Sequence, residues 1–95
     1  LVFLIQKGAK AMEDEKRLGI VGIFVEDLEQ ADGVNDVIHE SSSIVVARMG
    51  IPYKERDVSV ISLLVDGTAD EINALTGSLG RIPSVSVKSM LRKDK

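Results

Sequence analysis

No cysteine occurs anywhere in the 95 residues. That absence removes disulfides, thiolate nucleophiles, iron–sulfur ligation and every Cys-based zinc pattern. Tryptophan is also missing, and the only aromatic residues are Phe3, Phe24 and Tyr53. The core must therefore come from Ile, Val, Leu and Met, a composition that favours a sheet packed on helices. His39 is the sole histidine. With only Asp36 and Glu40 close to it in sequence it makes a poor metal ligand, and a histidine at a helix C-terminus is explained by the helix dipole. The glycines form neither a G-x-G-x-x-G nor a P-loop pattern, so no nucleotide fingerprint exists and no cofactor is expected. No stretch approaches the roughly 20 apolar residues needed to cross a bilayer, and "LVFLI" at Leu1–Ile5 is too short for a signal-peptide core. A cytoplasmic protein is the expectation. The formal charge of -3 supplies no general attraction to nucleic acid. Only the tail with Lys88, Arg92, Lys93 and Lys95 is locally basic, and it reads as a solvated end.

What remains is a chain of one domain's size with 44% hydrophobic residues, small enough that a single core gives marginal stability and an oligomer would help. Residues 1–16 break the pattern of the rest and read as an appended segment, either an extra edge strand at Leu1–Ile5 or a loose terminus, with Met12 a possible start of the protein proper. Residues 17–95 read as the domain. "LGIVGIFVE" is a strand buried on both faces. "DLEQADGVNDVIHESS" changes to helical period, with Leu28, Ala31, Val34, Val37 and Ile38 on one stripe and Asp27 as its cap. "SSIVVARMG" and "DVSVISLLVDG" are two further strands, and the short "IPYKER" between them fits a hairpin whose first strand ends at Ile51, before Pro52. "TADEINALTGSLGR" is a second helix opened by a Thr68–Glu71 capping box and buried along Ile72, Leu75, Leu79 and Ile82, with Gly80 as the left-handed residue at its end. "SVSVKSML" is the last strand.

The order βαββαβ is that of the α+β, ferredoxin-like sandwich: a four-stranded antiparallel sheet with two helices on one face and the first and third strands at its centre. In the first strand Val21, Ile23 and Val25 alternate with Leu18, Ile20 and Phe24, so the face without helices is apolar too. An exposed apolar face marks a partner surface. Self-association to at least a homodimer, through sheet face or edges, is expected, the alternative being that the N-terminal segment folds over it.

Catalytic groupings are not found. Ser41, Ser42 and Ser43 sit in no strained elbow and have no oriented base. Asp70 and Glu71 are accounted for by capping. Of the other functions this fold carries, RNA binding needs exposed aromatics that the central strands lack apart from Phe24. Metallochaperones need Cys-x-x-Cys where this chain has "VEDLEQ", and acylphosphatases an arginine in the same loop, which here holds Glu26 and Asp27. Two features keep a ligand open. Arg48 and Arg56 bracket Tyr53 and grip an anion if the hairpin folds them together; otherwise they are a solvated tip or a subunit contact. Gly77, inside the second helix, costs about 1 kcal/mol and admits a neighbouring backbone or ligand, or packs on the sheet.

The segments "RMGIPY", "SVISLLVDGT" and "LTGSLGRIPSVSVKS" together resemble the short proteins known as iron-only hydrogenase system regulators, with the similarity running from about Lys16 to Arg92. The resemblance implies an ACT-like domain, similar in fold to the oligomerising, effector-binding C-terminal part of nickel-responsive repressors. It also implies transcriptional regulation linked to hydrogenase or redox metabolism. The nickel ligands of those repressors have no counterpart here, so nickel sensing does not carry over. No direct DNA-binding motif is present, so DNA contact would need a partner. By analogy with ACT-like modules, a small-molecule effector would sit near Glu26, Asp27 and Leu28. The expectation is a non-catalytic, oligomeric regulatory module that senses a small molecule or docks a partner. A small enzyme with an interface pocket using Arg48, Tyr53 and His39, and a ligand-free scaffold, stand as alternatives.

Overall fold

The computed structural model describes residues 15–93; the extra strand at Leu1–Ile5 and the start at Met12 lie outside them. The elements run β1 (Lys16–Val25), a 3-10 turn (Leu28–Gln30), α1 (Ala31–Glu40), β2 (Val45–Tyr53), a second 3-10 turn (Lys54–Arg56), β3 (Val58–Thr68), α2 (Ala69–Gly80) and β4 (Val85–Leu91). The strands form one sheet in the order β2-β3-β1-β4, antiparallel throughout. This is the ferredoxin-like, ACT-like sandwich, with the two most apolar strands at its centre.

Period-two alternation assigns every strand residue to a layer. Val21, Ile23 and Val25 of β1 and Ile61, Leu63 and Val65 of β3 are buried beneath Val34 and Ile38 of α1 and Ile72, Leu75 and Leu79 of α2. No polar or charged residue is buried among those described. Transfer of these aliphatic side chains out of water, at about 1.5–3 kcal/mol each, is therefore the main force holding helices to sheet. Where β3 hands over to α2, a Cβ on Gly67 would lie 2.9 Å from Ile44 Cγ2, and the Asp66 amide donates to the Ile44 carbonyl at 2.8 Å. Only glycine allows that approach.

The start of α2 forms as its sequence signal predicts. Thr68 Oγ1 accepts from the Glu71 amide at 3.1 Å, and Glu71 Oε1 accepts from the Thr68 amide at 2.9 Å. Thr68→Ala removes one half of this exchange and is expected to cost about 1 kcal/mol of unfolding free energy; urea denaturation with an unchanged slope would show it.

Five local expectations are corrected. Strand β1, expected to be buried on both faces, is buried on one only, with Leu18, Ile20 and Phe24 exposed on the other because no helix covers that side. Asp27 caps the 3-10 turn, accepting from the Glu29 amide at 3.0 Å, and α1 starts later, at Ala31, with no side-chain cap. Leu28, placed by periodicity on the buried stripe, consequently lies before the helix and is 54% exposed. Gly80 has no positive φ; the left-handed residue of that connection is Ser84, at φ 64°, whose carbonyl accepts from the Glu26 amide at 2.8 Å. Strand β2 does not end at Ile51 but continues through Pro52 to Tyr53, because an edge strand can leave the missing proline N–H on its unpaired side. The turn is instead made by residues 54–57, with Asp57 left-handed at φ 58°.

Candidate functional site

Two surfaces remain once the core is assigned. The first is the sheet face away from the helices. The strand registers lay it out in rows: Ala47, Leu64, Ile20 and Met90; then Met49, Ser62, Gly22 and Lys88; then Ile51, Val60, Phe24 and Ser86. Met49 and Met90 are each 65% exposed and Phe24 51%. Large residues of the outer two rows stand on either side of the small Ser62 and Gly22. Between them runs a trough of about 480 Å³ lined by Gly22, Phe24, Val60, Ser62, Ser86 and Lys88. Lys88 is the only charge in the three rows.

The second surface lies on the helix side. Helices α1 and α2 cover β1, β3 and β4, but edge strand β2 falls beyond them, so Arg48, Gly50 and Pro52 are exposed while Leu63 and Ile61 beside them are buried. A cleft of about 410 Å³ opens between α1 and β2. Its floor is Val25, Ile61 and Ser59, and its walls are Ala31 and Asn35 on one side and Gly50 and Pro52 on the other. Arg48 Nη2 donates to Asn35 Oδ1 and closes one end. Beyond that strut a second hollow holds Asp36, His39 and Ser42. Among the described residues no group of His, Cys, Asp or Glu could hold a metal ion, and no helix is long and apolar enough to cross a membrane.

The residues singled out from the sequence are dispersed. Arg48 points to the helix side, whereas Tyr53, five residues on along the same strand, pairs with Val58 and faces the other way. Arg56 lies in the turn beyond both. Glu26 and Asp27 form the exit from β1, and Leu28 reaches the hairpin, sharing a small depression with Pro52, Tyr53 and Asp57. His39 shares a hollow with Arg48 but not with Tyr53. Gly77 lies on α2 and lines none of these hollows, and a Cβ there would meet only Arg81 Nη1, at 3.9 Å. Among the described residues nothing requires glycine at that position. Gly77→Ala is expected to raise stability by about 0.5–1 kcal/mol; a lowered urea midpoint would mean that something outside residues 15–93 packs there.

Asn35, Gly50 and Ser59 were not singled out from the sequence, although part of the signal was present. Ala31, Asn35 and Ile38 share a helical stripe, and Arg48, Gly50 and Pro52 share a strand face. What was not local was the gap between those two lines of residues.

Among solved structures, that of an uncharacterized protein, TM1266 from Thermotoga maritima, is similar at 40% identity and a TM-score of 0.79, covering 83% of this chain and 100% of that one. A search of curated proteins finds no match. Residues 17–89 match the model of the TM1266-like family, described as "Iron-only hydrogenase system regulator, putative". That span takes in the whole of β3 and α2 and nearly all of β1 and β4, and with the similarity to the Thermotoga protein it establishes that the chain belongs to the TM1266-like family.

Proposed function

We propose that this chain is a non-catalytic regulatory module of an iron-only hydrogenase system, acting on transcription through a partner, sensing a small molecule or docking that partner, and working as a homodimer joined through the open sheet faces. The family description names a regulator, and the described residues offer no catalytic grouping. The observation that carries the assembly is the relief of the apolar face. Its four strands, about 4.8 Å apart and paired over seven residues, give a footprint of roughly 450 Å² per copy. Two such faces give roughly 900 Å² of flat footprint, and the relief of their side-chain rows adds to it, which brings the contact near the approximately 1,000 Å² of a specific interface.

The face is also self-complementary. A two-fold axis lying between two sheets, across β1 at Ile23, places the Phe24 row of each copy over the Gly22 row of the other. Each Phe24 ring then enters a trough floored by Gly22 and Ser62, Val60 meets Ser62, and Lys88 meets the Ser86 hydroxyl rather than a second ammonium. That is the reciprocal pattern of an isologous contact. The β2 edge favours this mode over edge pairing. Strand β2 carries a bulge between Val45 and Ala47 and a proline at position 52, both devices that discourage strand addition.

Sedimentation equilibrium of the full chain is expected to show a dimer, or a multiple of it, at micromolar concentration. The same result is expected for a chain lacking residues 1–14. A monomer whose face becomes sticky only on that truncation would instead identify the N-terminal segment as the cover. The regulatory reading is tested separately, by measuring hydrogenase transcripts in cells lacking the protein; unchanged levels would remove it.

A further inference from the structure

The geometry points to the cleft between α1 and β2 as a binding site for a small organic carboxylate with a short apolar body. This rests on the sensing half of the proposed function but not on the assembly. The cleft has the size of small-molecule sites, which run from about 300 to 1,000 Å³, and its chemistry is divided. Val25, Ile61, Ala31 and Pro52 make it apolar within, while Arg48, Asn35 and Ser59 are its polar groups.

Arg48 is the group that chooses the ligand's charge. Its guanidinium has five N–H donors. One is spent on Asn35 Oδ1, and no carboxylate among the described residues pairs with it. Asn35 holds the guanidinium at the end of the cleft from across the gap, so the fork is pre-aimed and less side-chain freedom is lost on binding. A planar carboxylate suits that fork through two parallel hydrogen bonds. A ligand anchored there runs its body toward Pro52 along the apolar floor. Gly50 leaves this path open: a Cβ at position 50 would meet Ile61 Cγ1 at 3.6 Å and the Val60 carbonyl at 3.8 Å, both ordinary contacts. A larger side chain at Gly50 would therefore fold without a clash and fill the cleft itself.

The test titrates the full chain with acetate, butyrate and hexanoate, with 1-hexanol, and with inorganic phosphate, following binding by calorimetry and by the amide NMR signals of Asn35 and Gly50. Affinity is expected to rise from acetate to hexanoate by up to about fourfold per added methylene, with the alcohol failing to bind. Arg48→Gln is expected to weaken hexanoate binding at least tenfold, and Gly50→Met to abolish it without lowering the thermal midpoint. Phosphate binding as tightly as hexanoate, or hexanoate binding that both variants leave intact, would overturn the proposal, as would the absence of binding by every carboxylate. Sedimentation of the same samples keeps the outcomes apart. A monomer that binds hexanoate refutes only the assembly, and a dimer that binds nothing refutes only this site.

Discussion

Phe24→Glu is expected to turn the proposed dimer into a folded monomer, with its dissociation constant raised by at least a hundredfold. Phe24 is half exposed on the isolated subunit, so a glutamate in its place faces water there and leaves the core beneath untouched. In the dimer the same carboxylate would enter a trough made of Gly22, Ser62 and Val60 and lose its hydration together with the apolar contact of the Phe24 ring, with Lys88 the one cation in that trough. Desolvating a carboxylate costs several kcal/mol, which a single ion pair with Lys88 offsets only in part. The lost burial of a Phe ring adds about 1.5–3 kcal/mol, and each 1.4 kcal/mol is a factor of ten in affinity. The two-fold relation makes the penalty apply twice. Sedimentation equilibrium reads the change in mass, and circular dichroism verifies that the fold survives.

Leu28→Glu is the matching control. Leu28 is as exposed as Phe24 but sits beside the hairpin, away from the proposed contact. Loss of the dimer in both variants would point to general charge repulsion, and loss in neither would remove the open face as the interface.

The parts of this molecule legible in sequence are those set by neighbours a few residues away. Alternation across Ile20 to Val25 names two faces of β1 before any partner strand is known. A capping box needs only Thr68 and Glu71. Even the apolar open face follows from the same parity, once two helices are assigned to one side. Parity also bears on Arg48 and Tyr53: five residues apart on one strand, they must diverge. Only a strand that stopped at Ile51 would let the hairpin fold them together, and β2 runs on to Tyr53. The decision to continue it through Pro52 depends on β2 being the edge, a fact of sheet order rather than of the local sequence. Ser84 in the left-handed region, in place of Gly80, has the same origin, since its carbonyl is held by the Glu26 amide at the end of β1. The cleft is the least legible feature of all. It exists because α1 and α2 cover three strands and not four, and no periodicity within α1 or β2 states the distance between them.

The same economy of core material predicts the second large effect. Leu75→Ala is expected to lower the unfolding free energy by about 3–4 kcal/mol. Leu75 is 1% exposed at the middle of α2, between Ile72 and Leu79 on the stripe that faces Val21, Leu63 and Val65. Truncation removes three carbons from a cluster of aliphatic side chains without one aromatic ring. Its β-branched neighbours are stiff about χ1 and cannot swing into the space, so a cavity term adds to the lost transfer energy. A chain of this size has about 5–14 kcal/mol of stability in total, and the variant gives up a large share of it. Urea denaturation should show the midpoint falling with the slope unchanged. If the protein is a dimer, the wild-type midpoint also rises with protein concentration by mass action, so both proteins must be compared at one concentration. A loss below about 1 kcal/mol would mean that the site collapses onto the gap, and α2 would then be free to shift against the sheet; retention of the dimer alongside a fallen midpoint would show that the open face and the helix-covered core contribute to stability independently.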